Sequence, residues 1–274
     1  MNKPINEFAG VPVVILCGGI GVTLNVTQGQ RLNKGLVRIQ EKPLFWWVML
    51  QYVIHGASDF ILPAGYQYEQ FRLSLLQAGG VELAGDPGCY EILIGNIPCR
   101  ARLLLTPEDA STAARLLACK LWLQHAPSFA LTYSDTLCDV DLSAEMRFHK
   151  TSGLTATLIA TKFPVRFRIL GVRAGEMLVR AFASRPVIEA ASINGGYYLF
   201  TYAIWNPEFA VTADIALENQ PLEKLAAAGQ LISFAHNGSW HTCDAERDLI
   251  GLSKLASYLS SKLLDNHREF HPEE

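Results

Sequence analysis

The sequence predicts an α/β fold built on a doubly wound sheet. Three observations carry this. Strand-like apolar runs alternate with helical runs through the first half of the chain; the first run, residues 11–17, is apolar at every position; and a Gly-rich segment, Cys17-Gly18-Gly19-Ile20-Gly21, follows it at once. A strand without polar alternation is covered on both faces, as in a parallel sheet. Ligands of such sheets bind beyond the carboxyl ends of the strands.

Pro12 stands at the start of the first strand, where a missing N–H is tolerated. Residues 43–55 read as a helix with Pro43 near its first turn, 59–63 as a short strand and 68–78 as a helix. Residues 103–105 form a strand, 111–125 one helix, and 129–133 a strand that ends on Ser134-Asp135. In the second half, 156–162 and 169–172 are strand-like, 173–176 is a turn, and 177–182 pairs back as a hairpin. Residues 197–202 form a strand, 222–228 a short helix closed by Gly229, and 249–265 a longer helix, with 267–274 frayed. Without a repeat or linker, the 274 residues read as one domain. It divides into halves of about 11–140 and 141–248 and a C-terminal helix over 249–265.

Half of the residues are hydrophobic and 18% are charged, the composition of a compact globule. With 23 basic and 26 acidic side chains the formal charge is −3, which excludes a broad basic surface for nucleic acid. None of the six cysteines forms a C-x-x-C pair, so a zinc ribbon or thioredoxin motif is excluded and they read as small buried hydrophobes. No stretch approaches the ~18 apolar residues of a membrane span. Residues 1–10 carry no apolar signal core. A cytoplasmic location is the expectation, with no membrane partner.

Four features carry chemistry. Glycines after a strand let backbone N–H groups approach a phosphate, although this loop is neither a Walker loop nor a full G-x-G-x-x-G. Lys34, beyond the loop, is either a point charge for phosphate or a solvated lysine. Asp135, at a strand's carboxyl end with Asp139 and Asp141 close behind, is either a hard-cation ligand or part of a helix-capping cluster. Asp244 is a second metal carboxylate or an N-cap.

Taken in order, these residues resemble the sugar-1-phosphate nucleotidyltransferases, most of all the cytidylyltransferase members, from about residue 11 to 255. Beyond the loop, the resemblance rests on Lys42-Pro43-Leu44-Phe45-Trp46; on His55-Gly56-Ala57-Ser58-Asp59-Phe60-Ile61 with Gly65-Tyr66; on Thr132-Tyr133-Ser134-Asp135; on Phe148-His149-Lys150 with Ala156-Thr157-Leu158; and on Ile193-Asn194-Gly195-Gly196-Tyr197. The resemblance implies a Rossmann-like doubly wound mixed sheet of the nucleotide-diphospho-sugar transferase type. It implies transfer of a nucleotidyl group from a nucleoside triphosphate, CTP favoured, to a sugar 1-phosphate, with Mg²⁺ neutralising charge at the α-phosphorus. Residue by residue, Gly18, Gly19 and Gly21 would hold the nucleotide, with Thr112 and Arg115 near the base. Lys34 would bind phosphate, Asp135 and Asp244 the metal, and Asn194, Gly195 and Gly196 the sugar side. By analogy with the family, a homo-oligomer is expected.

The sequence departs from the family pattern in the site itself. Thr23 stands where the family's loop has arginine, and Asn33-Lys34-Gly35 replaces Pro-Lys-Pro. Ala113 and Ala114 replace two glycines, Ser184-Arg185-Pro186 replaces Glu-Lys-Pro, and Arg168 replaces a glycine beside the sugar. Arg185 retains a cation for the sugar-side phosphate. The departures leave two other readings open: a nucleotide-binding relative with impaired turnover, or a transferase for a more acidic acceptor.

Overall fold

A computed structural model describes residues 6–18, 31–162, 169–171, 181–183 and 192–270. The strands in chain order are β1 (Val13–Leu16), β2 (Arg38–Ile39), β3 (Lys42–Pro43), β4 (Asp59–Ala64), β5 (Val81–Glu82), β6 (Cys89–Ile94), β7 (Ile97–Leu105), β8 (Ser128–Tyr133), β9 (Thr136–Cys138), β10 (Ala156–Lys162), β11 (Ile169–Gly171), β12 (Ala181–Ala183), β13 (Ser192–Thr201), β14 (Leu231–His236) and β15 (Trp240–Thr242). The helices are α1 (Leu44–Val53), α2 (Tyr68–Gln77), α3 (Thr112–Ala118), α4 (Lys120–Leu123), α5 (Leu142–Ser152), α6 (Gln220–Ala227) and α7 (Leu249–Phe270).

The main sheet runs β14-β10-β13-β8-β1-β4-β7-β6-β5. β8, β1, β4 and β7 are mutually parallel; β13 runs antiparallel between β8 and β10, and the β6–β7 hairpin closes the other side. This is the predicted doubly wound mixed sheet. The chain leaves β1 toward β4 and β7, then returns to place β8 on the opposite flank of β1. The carboxyl ends of β1 and β8, in register at Leu16 and Tyr133, therefore form the topological switch point, where the two crossovers diverge and leave a crevice.

The all-apolar first strand serves two cores. Val13, Ile15 and Cys17 pack on one face, and Val14 and Leu16 on the other. α1 is buried at all ten positions, beneath the first of these cores. Its Leu44, Val48 and Met49 are fully buried, and such side chains contribute about 1.5–3 kcal/mol each. The six cysteines are all buried and unbridged, as expected of small hydrophobes. Among the described residues no helix is long and apolar enough to cross a membrane.

Several element boundaries differ from the sequence expectation. Residues 111–125 form two helices, because the Cys119 thiol donates to the Arg115 carbonyl that a continuous helix would pair with the Cys119 N–H. The Cys119 N–H turns instead to the Leu116 carbonyl. Pro43 caps α1 from β3 rather than entering its first turn, and the helix ends at Val53. Tyr202 leaves β13 and begins a 3-10 turn. Ile169–Gly171 pairs antiparallel with Ala181–Ala183, while the expected turn at 173–176 and the return arm over 177–180 lie outside the described residues. α7 includes Phe270, so residues 267–270, expected to be frayed, are helical, and 271–274 lie outside the described residues. The β6–β7 hairpin escaped prediction, although its Gly95-Asn96 turn, with φ of +58° and +66°, is a type-I′ signature.

Candidate active site

The crevice beyond β1 and β8 collects side chains from four separate parts of the chain. Asp135 follows β8 directly. The ribbon β9–β15, with Thr136 opposite Thr242, then brings Asp244 alongside, and the Cys243 N–H donates to the Asp135 carbonyl at 2.9 Å. Lys34 enters on a short 3-10 turn, Lys34–Leu36. Its ammonium stands 2.7 Å from Asp244 Oδ1 and 3.4 Å from Asp135 Oδ2. One cation thus bridges two carboxylates from distant segments.

The flanks of Lys34 set that position. Asn33 Oδ1 accepts from the Gly35 N–H at 3.0 Å, while Asn33 Nδ2 donates to the Cys17 carbonyl at 3.1 Å. The lysine turn is thereby tied to the end of β1. Gly35 lies against Ser134, where a Cβ would come within 2.5 Å of Ser134 Oγ. The hydrogen bonds of Asn33 hold the turn, and the missing side chain of Gly35 lets it approach Ser134 closely.

Lys34 is only one-quarter exposed, so it is not the solvated lysine that spacing alone allowed. Burial lowers its pKa, but the bond to Asp244 and the charge of Asp135 outweigh this and raise it overall. At Asp135 burial dominates and raises the carboxyl above its usual range, against the opposing pull of Lys34. Asp244 does not cap the following turn. Asp248 accepts from the backbone N–H groups of Asp244 and Ala245 at 3.0 and 2.8 Å, and the Asp244 carboxylate faces Lys34. Asp141 does cap, accepting from Ala144 N at 2.9 Å, while Asp139 accepts from Ser239 N at 2.8 Å.

A cavity of about 240 Å³ opens beside the pair, lined by Tyr133, Asp135, Asn194, Gly195, Trp240 and Thr242 among others. Because β13 is antiparallel to β8, its amino-terminal half brings Asn194 and Gly195 to the carboxyl end of β8. Gly196, at φ +77°, is where β13 bends past Tyr133; a Cβ there would lie 2.7 Å from the ring. Trp240 Nε1 donates to the Gly195 carbonyl at 2.8 Å, closing the cavity wall.

The remaining predicted residues take other positions. Gly18 ends the β1 segment with the Arg115 guanidinium packed directly on it, close enough that any side chain at 18 would overlap it. Arg115 is itself buried. It donates to the carbonyls of Pro107, Glu108 and Ala110, and among the described residues its Nε has no partner. The Thr112 hydroxyl donates to Glu218 Oε2 at 2.6 Å and accepts from Leu217 N at 2.8 Å. Gly19, Gly21, Thr23, Arg168, Ser184 and Arg185 lie outside the described residues.

Glu218 was not anticipated. Its second oxygen accepts from the Tyr133 hydroxyl, which neighbours that of Tyr198 at 3.4 Å; Tyr198 in turn accepts from Asn194. A hydrogen-bonded chain therefore runs from the start of α3 to Asn194 on β13. No local pattern around Glu218 announces this. Tyr133 and Trp240 do sit within sequence runs already marked by Asp135 and Asp244.

Among the described residues no group of three or more His, Cys, Asp or Glu side chains converges as a self-sufficient metal cage. The two carboxylates at one cation instead match the sparse protein ligation that Mg²⁺ uses when substrate phosphates complete its shell.

No protein-family model matches the chain. Glucose-1-phosphate cytidylyltransferase of Salmonella typhimurium is 34% identical over 250 residues, spanning 88% of this chain and 94% of the relative. Among solved structures, HddC of Yersinia pseudotuberculosis superposes with a TM-score of 0.64 at 17% identity, over 90% of this chain and 99% of that one. The inositol-1-phosphate CTP transferase of T. maritima gives 0.60 at 16%, over 96% and 98%. The two structures establish the nucleotide-diphospho-sugar transferase fold. The sequence relative, aligned over nearly the whole of both chains, establishes that this chain belongs to the glucose-1-phosphate cytidylyltransferase family of sugar-1-phosphate nucleotidyltransferases.

Proposed function

We propose that this protein transfers a cytidylyl group from CTP to a sugar 1-phosphate, in nucleotide-sugar biosynthesis. A phosphate oxygen of the sugar 1-phosphate attacks the α-phosphorus. The bond to the bridging oxygen of the β-phosphate breaks, and pyrophosphate leaves with that electron pair. The observation that carries this reading is the meeting of Lys34, Asp135 and Asp244 at the switch point of a chain with this ancestry.

The chain's own residues have distinct tasks. Gly18 and the loop after it receive the triphosphate, Thr112 and Arg115 border the base, and Lys34 supplies a cation to the phosphates. Asn194 and Gly195 border the sugar, held by Trp240 and the Glu218 chain, while Arg168 and Arg185 take sugar-side roles on the resemblance alone. Asp135 and Asp244 would hold Mg²⁺, which when bound neutralises the charge that builds on the phosphoryl oxygens. The setting is read as cytoplasmic and the assembly as a homo-oligomer.

Incubation of the pure protein with CTP, glucose 1-phosphate and Mg²⁺ tests the reading. Pyrophosphate released in step with a cytidine diphosphate sugar is the expected result; no product across several triphosphates and sugar phosphates would overturn it. Thr23, in place of the family's arginine, favours a second reading as a binder without turnover. If activity arises only in Thr23→Arg, this second reading holds.

A further inference from the structure

We infer that in the nucleotide-free protein the Lys34 ammonium occupies the cation position between Asp135 and Asp244, and that a divalent ion gains both carboxylates only as Lys34 leaves them. This rests on the reading of the site proposed above. It goes beyond that reading by making Lys34 the counter-ion of the empty site as well as a phosphate ligand of the filled one.

The geometry separates what is fixed from what can move. Asp135 is held by the β9–β15 ribbon, its carbonyl bonded to the Cys243 N–H, and its Oδ1 accepts from Thr136 Oγ1 at 3.3 Å. The backbone of Asp244 is held by Asp248. The turn carrying Lys34 is anchored through Asn33, while among the described residues its ammonium meets only the two carboxylates, so its four-carbon stem is the adjustable part. Both carboxylates point at the same ammonium. Without a cation between them they would repel across a partly buried gap. The ammonium removes that cost, and in doing so stands where a metal ion would bind.

A triphosphate offers Lys34 a second set of anionic oxygens. When the ammonium moves to them, the carboxylate pair becomes available to a divalent ion. Nucleotide and metal then assist one another, and by linkage each raises the affinity of the other equally. The device keeps divalent ions from settling in the site ahead of the nucleotide.

The test uses Mn²⁺ and the full chain without nucleotide. Free Mn²⁺ is measured by electron paramagnetic resonance for wild type, Lys34→Met and Asp244→Asn, and acylation of the Lys34 amine is followed by mass spectrometry with and without Mn²⁺. Lys34→Met is expected to bind Mn²⁺ about tenfold more tightly, the factor set by one charge-assisted pair that no longer has to be broken. In wild type, saturating Mn²⁺ is expected to speed Lys34 acylation severalfold, and Asp244→Asn to abolish that rise. An unchanged acylation rate at saturating Mn²⁺ overturns displacement, even if Lys34→Met binds more tightly through its charge alone. Such a result would leave the proposed transferase activity standing. Failure of every form to bind Mn²⁺ would overturn both this inference and the carboxylates' proposed metal role, and pyrophosphate release would report separately on the activity.

Discussion

Gly35 and Ser134 touch where no side chain at position 35 could fit: a Cβ there would lie 2.5 Å from Ser134 Oγ and 2.7 Å from Ser134 Cβ. The contact presses the lysine turn onto the end of β8 and so sets the reach of Lys34 to Asp135. Gly35→Ala is expected to destabilise the protein by about 1–3 kcal/mol, the usual cost of forced overpacking, and to lower activity more than stability explains. Ser134→Gly removes both clashing atoms. The double variant should regain most of the loss, measured by denaturant unfolding and by pyrophosphate release. Purely additive effects would refute the direct contact.

Asp135→Asn and Asp244→Asn should each reduce turnover by on the order of 10²–10³, the range for losing one preorganised charge in an active site. If both hold one ion, as proposed, the two changes together should cost much less than the product of the singles. Steady-state rates at saturating Mg²⁺ measure this, with thermal unfolding as the check on folding.

Glu218 bonds Thr112 with one oxygen and Tyr133 with the other. Glu218→Ala frees both hydroxyls and loosens Tyr133 beside the cavity. The expected outcome is a raised KM for the sugar phosphate with a smaller change in kcat. In a cycle with Tyr133→Phe the two effects should be coupled by about 0.5–3 kcal/mol. Strict additivity would show that Glu218 acts elsewhere.

Stability should pass through a maximum with pH. Burial lowers His55 and His149 to about 4, so the folded state holds them neutral while the unfolded chain binds protons below its ordinary histidine value of 6.5. Their contribution is complete above 6.5 and is lost as pH falls toward 4. Glu145 is the opposite case. Burial raises it to about 8, and its Oε1 has no partner among the described residues. The folded state keeps that proton where the unfolded chain releases it, so stability declines from the ordinary value of 4.5 up to 8. Each group can add a slope of up to about 1.4 kcal/mol per pH unit. Glu145→Gln should remove the decline at the alkaline end and leave the acid limb in place, as read by urea midpoints from pH 4 to 9.

Much of the fold was legible along the chain because it depends on local pattern. An apolar run such as 11–17 needs cover on both faces, and its alternation with helices allows few arrangements beyond a doubly wound sheet. The same pattern put Gly18 and Asp135 at strand ends, where such sheets bind ligands. Strand pairs joined across distance carried no such signal. β14 lies beside β10 in parallel, and nothing within Leu231–His236 names that partner.

The sequence by itself singled out the chemical groups that the described crevice brings together: Lys34, Asp135 and Asp244. Tertiary structure alone decided how they meet. Lys34 and Asp244 are 210 positions apart, and spacing allowed each a bland role on the surface or at a helix end. The β9–β15 ribbon and the Asn33 bonds remove those alternatives by fixing where the two backbones pass. The physical reason is that a charge's partner is set by distance through space, which only the packed sheet defines, whereas strand and helix pattern is set by neighbours a few residues away.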